Sequence, residues 1–343
     1  MWQVLKVAFL YIGTSIGAGF SSGKEIALFF GNVSPSNVAL SAVFTALLMA
    51  LFLVAGKLNC MPKSFAVKLG VFISALISLT AMIAGSEFVM RFLTNTPLLG
   101  LILTVLGGVV VAFGIEKIKL LNTALVPLLI VTIAIVFSMV SAPQFSPKFS
   151  ISKPILYSGL DALLGGIIIS REGQKLSYKQ IFATCAFTGI FIGTMLFMLQ
   201  TVVLNDVSHS SMPVLAVAEQ LGLKWACGIL ITVAIFTTLV SALHIVFEQA
   251  NEWLQNVALK TQSKHTFLQK ISGSNRREIV IFLILLLDYP LSFIGFDNIV
   301  NFGYPFTSFC GIAMICFTAS KLLLTLAKKI KSKSCAKKSP LKI

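Results

Sequence analysis

The run Ile12-Gly13-Thr14-Ser15-Ile16-Gly17-Ala18-Gly19-Phe20-Ser21-Ser22-Gly23-Lys24-Glu25 places polar groups where an apolar helix would otherwise continue. Hydrophobic residues 4–10 and 26–30 flank it on either side. In hydrocarbon a helix must satisfy every backbone group itself, because no water is there to do so. Four glycines weaken the helix at this point, and four hydroxyl residues add oxygens. A break of this kind is tolerated where the freed backbone lines a protected cavity, which makes the run an ion or solute site. The competing reading is that the glycines only let a neighbouring helix approach closely.

A second run, Ser158-Gly159-Leu160-Asp161-Ala162-Leu163-Leu164-Gly165-Gly166-Ile167, combines a glycine pair with an acid at depth. An ionisable group inside a span is costly and usually functional. Asp161 either receives a substrate amine or coupling proton, or caps a freed half-helix. Glu25, Glu87, Glu248 and Asp288 also lie in or near apolar runs; Glu25 and Asp161 are the coupling candidates, and Glu87 is placed to pair with Arg91 one turn later. A third motif, Ala234-Ile235-Phe236-Thr237-Thr238 followed by Ser241, carries adjacent hydroxyls. Threonine in a spanning helix commonly bonds back to a carbonyl one turn earlier, and that reading stands beside a ligand role.

Catalysis has no foothold. There is no Gly-x-Ser-x-Gly elbow, Walker loop or His-Glu-x-x-His pattern, and the six cysteines form no Cys-x-x-Cys pair. His209, His244 and His265 are scattered. No enzyme and no cofactor is expected.

The elements that hold these residues follow from composition. The chain of 343 residues is 57% hydrophobic and 11% charged, with a mean hydropathy of +0.93. Reading apolar runs of roughly 18 or more residues as spans gives ten, near 4–30, 36–57, 68–93, 97–116, 120–141, 154–170, 180–204, 224–249, 279–295 and 298–327. The expected fold class is an all-α polytopic membrane protein. Lys57, Lys63 and Lys68, then Lys117 and Lys119, then Arg171, Lys175 and Lys179, then Lys260 to Arg277 fall in alternate loops. Cysteine 60 (Cys60) and Cys335 lie on the same side, and the positive-inside rule makes that side cytoplasmic, with both termini. The net charge of +15 therefore calls for no nucleic-acid partner. The basic tail, 328–343, suits anionic lipid headgroups at the bilayer surface.

Ten spans divide into halves of opposite orientation, about 4–141 and 154–327, within one transmembrane domain over 1–327. One offset pairs Gly19 with Gly166, Lys24 with Arg171, Glu25 with Glu172 and Thr14 with Asp161. Residues 212–221 read as a short helix started by Pro213, either a lid or an interfacial packing element. Residues 258–278 read as a polar connector.

The Gly-Thr-x-x-Gly-Ala-Gly-Phe-x-Ser-Gly-x-Glu run, with ten spans at this length, resembles the bacterial YkvI-type membrane proteins. That group is in turn remotely similar to the amino acid–polyamine–organocation superfamily with the LeuT-type fold. The resemblance implies a five-plus-five inverted repeat with broken helices 1 and 6, in a bacterial cell membrane. It also implies a sodium site with carbonyls of Gly13, Ile16 and Ala234 and hydroxyls of Thr237 and Thr238. A proton-coupled version of the fold replaces the sodium with a lysine of span five, which here has none beyond Lys119 at its mouth. The expectation is a secondary active transporter of a small polar organic solute, an amino acid or related amine. Its substrate-facing positions would be Ser15, Gly17, Gly19, Ser21, Asp161 and Gly165, between spans one, three, six and eight. A nutrient-sensing receptor of the same fold and a proton-coupled transporter are the alternatives.

Overall fold

The structure, a computed structural model, describes residues 2–62, 64–96, 98–208, 210–260 and 276–337. His209, His265, Lys63 and residues 338–343 lie outside them, as does most of the expected connector 258–278. The described residues are helical, with no strand among them.

The first span is assembled from three pieces, α1 (Trp2–Ser15), α2 (Ala18–Ser21) and α3 (Lys24–Phe30). Helices α4 (Pro35–Lys57), α5 (Phe65–Thr94), α6 (Leu98–Ala112) and α7 (Ile115–Met139) complete the first half. The second half holds α8 (Ser152–Ser170) with a 3-10 turn Arg171–Lys175, α9 (Tyr178–Val203), the short α10 (Pro213–Gln220) and α11 (Lys224–Lys260). It closes with α12 (Arg276–Asp288) running into a 3-10 turn Tyr289–Ile294, α13 (Phe296–Asn298), a π turn Ile299–Gly303 and α14 (Tyr304–Lys337).

Five stretches are each long and apolar enough to cross a membrane: α4, α5, α9, Lys224–Gln255 and Phe296–Lys329. The protein is a multi-pass membrane protein. The sixth span passes as a bent pair, Ser152–Leu163 and Gly165–Lys175, at 53°. A glycine pair beside the bend supplies the local weakness, because it removes side-chain support from the helix wall. The expected break in span six is thus a kink without uncoiling. Three boundaries also differ. Span four stops at Ala112, because Gly114 takes a φ of 93° that only glycine adopts freely. The fifth helix begins at Ile115, and α14 continues through 328 to Lys337 into the segment read as tail.

Alternate loops gather at opposite ends of the bundle. At one end Gln3 Nε2 donates to Lys175 O (3.3 Å), Lys57 Nζ to Leu176 O (2.6 Å) and Lys321 Nζ to Met61 O (2.8 Å). At the other, Ser34 N donates to Lys148 O (2.8 Å), Lys153 Nζ to Leu28 O (3.1 Å) and Asn205 Nδ2 to Ser141 O (3.0 Å). Successive spans therefore run antiparallel.

Small residues set how closely the spans approach. A Cβ added at Gly311 of α14 would lie 1.8 Å from Gly159 O of α8, and one at Gly56 of α4 would lie 1.8 Å from Ser170 O. Backbone meets backbone at both crossings, the packing mode that replaces hydrophobic drive inside a bilayer. Gly311→Ala should destabilise the purified protein by about 1–3 kcal/mol, the usual penalty of overpacking. Gly70→Ala, whose added Cβ would meet nothing nearer than Cys310 Sγ at 4.0 Å, is the control and should change little. Thermal unfolding of both variants in detergent checks this, and equal stability would refute it.

Candidate functional site

The break in the first span is visible in its hydrogen bonds. Ile16 N still donates to Ile12 O (2.8 Å), but Gly17 N turns to Ser15 O (3.1 Å) instead of Gly13 O. Gly17 is extended, with φ −101° and ψ −162°, and α2 restarts with Ser21 N donating to Gly17 O (2.9 Å). The carbonyl of Gly13 loses its helical donor in this way. Thr238 of α11 replaces it: its hydroxyl lies 3.1 Å from Gly13 O and 3.0 Å from Ile16 O. Thr238 is buried.

Of the five expected sodium ligands, the structure brings together Gly13, Ile16 and Thr238. The other two turn to each other. Thr237 donates to Ala234 O (2.9 Å) within α11, and Ser241 donates to Thr237 O (2.9 Å). The back-bonding reading therefore describes Thr237 and not Thr238. One further cross-span contact joins them, between Thr14 Oγ1 and Ser241 Oγ at 3.4 Å. The residues fit a monovalent cation by chemistry, since the broken helix offers neutral carbonyl oxygens beside a hydroxyl.

Beside this junction lies a small cavity of about 30 Å³. Thr14, Ser15 and Gly17 face it from the first span, with Glu25 from α3. Asp161 faces it from α8 and Thr238 from α11. Asp161 accepts long contacts from Tyr11 OH and Thr45 Oγ1, each at 3.5 Å. Of the six expected substrate-facing positions, Ser15, Gly17 and Asp161 line this space. Gly19 and Gly165 support the wall rather than face the space. A Cβ on Gly19 would strike Tyr304 Cε2 (2.8 Å) and Glu25 Oε2 (2.9 Å), and one on Gly165 would strike the Tyr11 ring (2.5 Å). Ser21 is turned away, because its hydroxyl caps Gly17 O at 2.8 Å.

Sequence reasoning missed Ser78 and Met82 of α5 and Tyr304 of α14, which complete the lining. Span ten therefore joins spans one, three, six and eight around the cavity. Met82 Sδ accepts from Ala18 N at 3.2 Å, directly at the break. Glu87 does not pair with Arg91 but accepts from Tyr289 OH at 2.5 Å, across to the turn after α12.

Ion pairs flank the cavity towards each end. Lys24 of α3 meets Asp297 of α13 at 2.8 Å, and Ser211 also donates to Asp297 (2.5 Å). Towards the other end Arg171, on the 3-10 turn after α8, meets Glu248 of α11 at 3.1 Å. The short α10 is largely buried and is tied to the first span by Val214 N donating to Ser22 O (2.9 Å).

No protein-family model matches the chain, and no curated protein matches it. Among solved structures it is similar to Mhp1, a nucleobase-cation-symport-1 family transporter, in a closed conformation with bromovinylhydantoin bound. The TM-score is 0.52 at 14% identity, over 92% of each chain. The fold is of the LeuT transporter type. That likeness is one of fold, since unrelated functions share folds.

Thr238→Ala leaves Gly13 O and Ile16 O without their side-chain donor in a dry setting. It should cost about 1–3 kcal/mol in sodium-free buffer, the price of an orphaned buried acceptor. Thr237→Ala should cost less, because its carbonyl partner lies within its own helix. Melting temperatures of the two variants check the order, and a reversed order would refute the assignment.

Proposed function

We propose that the protein is a secondary active transporter that moves a small organic solute, an amino acid or related amine, by alternating access and coupled to sodium. It works in a bacterial plasma membrane with both termini cytoplasmic, as a YkvI-type protein, and performs no covalent chemistry. One observation carries the reading. The broken first span and Asp161 of the kinked sixth span face one small buried cavity, and a separate ion pair lies towards each end of it.

Each part has a task. Gly13, Ile16 and Thr238 would hold the sodium ion, with Ala234 and Thr237 as the next oxygens. A cation there supplies positive charge between the first span and α11 and favours the conformation in which the two meet. Asp161 and Glu25 receive the amine of the solute. Lys24–Asp297 closes the outer approach and Arg171–Glu248 the inner one. Opening either pair exposes the cavity to one side only, and ligands shift the balance only through different affinities for the two conformations.

A proton-coupled mechanism is the second reading. Glu25 and Asp161 favour it, as buried acids facing the same cavity. The cation response separates the two. Sodium should raise the melting temperature of the purified protein more than equimolar potassium, and Thr238→Ala should erase the difference. Equal stabilisation by both cations would exclude sodium coupling.

Flux tests the transport reading itself. In proteoliposomes an inward sodium gradient should drive solute uptake, and Asp161→Asn should lower it by about tenfold or more, the factor that about 1.4 kcal/mol represents. An amide caps a helix nearly as well as a carboxylate. Unchanged uptake by Asp161→Asn would therefore return Asp161 to a structural role. A protein that binds solute without any flux would be a receptor.

A further inference from the structure

The charge inventory of the cavity narrows the solute. Two carboxyl side chains face it, Glu25 (5% exposed) and Asp161 (6% exposed). Neither meets a basic side chain among the described residues, because the neighbouring Lys24 is engaged by Asp297. Three hydroxyls face the same space without a hydrogen bond among the described residues, those of Ser15, Ser78 and Tyr304, and the Ser15 oxygen is itself fully buried. The Tyr304 hydroxyl and Glu25 Oε2 both lie against Gly19, 3.1 Å and 2.9 Å from where its Cβ would stand. Buried polar groups are normally partnered, so this set calls for a hydrogen-bonding guest.

The guest's charge follows from what else is present. A zwitterionic amino acid brings a carboxylate that needs donors of its own. Backbone N–H groups at the break are the natural source, and two are already taken. Gly17 N is held by Ser15 O at 3.1 Å and Ala18 N by Met82 Sδ at 3.2 Å. A third carboxyl group would enter a low-dielectric space lined by two others and by no basic side chain among the described residues, where like charges repel strongly. An ammonium group meets the opposite situation, with two acids and hydroxyl oxygens to receive its hydrogens. The volume of about 30 Å³ holds on the order of two water molecules, so the space as it stands suits only a short solute.

We propose that this site takes a short organic cation, a primary amine without a carboxylate held between Glu25 and Asp161, and rejects zwitterionic amino acids. The assignment rests on the transporter reading only for the movement of the amine, not for its binding.

Matched pairs of nearly equal size test it on the purified full-length protein. Ethanolamine is compared with glycine, and 3-aminopropanol with β-alanine, by thermal shift at fixed sodium. The amino alcohols should stabilise the protein with apparent dissociation constants at least about tenfold below those of the matched amino acids. Glu25→Gln and Asp161→Asn should each weaken the amine response by about tenfold while the protein stays monodisperse. If one variant fails to fold, the other carries the test. Equal or better stabilisation by glycine and β-alanine overturns the proposal, as does silence from both amino alcohols. Proteoliposome uptake keeps the two readings apart. Amine binding without uptake would overturn transport and leave the site standing, whereas uptake of the amino acids would do the reverse.

Discussion

The constraint on which this structure depends is the debt of an interrupted helix in a medium without water. When Gly17 N turns to Ser15 O, the carbonyl of Gly13 is left without its helical donor. An unmet backbone group in hydrocarbon costs several kcal/mol, so the break persists only with a partner from elsewhere. Thr238 is that partner, and its hydroxyl reaches Ile16 O as well. A single side chain on α11 thereby fixes where the first span stops being a helix and which way α2 resumes. Everything facing the cavity from the first span takes its position from that junction.

The two halves of the chain meet the same problem differently. The offset that pairs Lys24 with Arg171 also carries the break at Gly17 onto Leu164, between the two helices of the kinked span. One half opens into an extended residue, and the other only bends by 53°. The paired lysine and arginine each find an acid: Lys24 meets Asp297 of the other half, and Arg171 meets Glu248 within its own half. Glu25 and its counterpart Glu172 do not share a role. Glu25 faces the cavity, while Glu172 lies by Lys175, 3.4 Å away. The repeat thus preserves backbone geometry and charged ends more faithfully than its interior side chains.

What the sequence disclosed follows the same division. Breaks were legible because glycine and hydroxyl residues are conspicuous in an apolar run, and Asp161 because a charge there is expensive. The junction of Gly13 and Ile16 with Thr238 was legible only through the family resemblance. Ser78, Met82 and Tyr304 were not legible, since a lone serine, methionine or tyrosine inside a long apolar helix carries no periodic signal. Glu87 was assigned to Arg91 by local spacing, yet its partner Tyr289 lies far along the chain. Thr237 and Thr238 look alike in sequence, and only the three-dimensional course of the first span tells which hydroxyl turns inward.

The glycine crossings have a mechanical meaning. Where α14 lies on α8 at Gly311 and Gly159, and α4 reaches the end of α8 at Gly56 and Ser170, main chain presses on main chain with no side chain between. Side chains can change rotamer and let helices slide; a bare backbone contact has nothing to compress or rotate. Spans two, six and ten are therefore coupled like bars of one frame. A shift of α14 carries α8 with it, and a tilt of α8 is passed to α4.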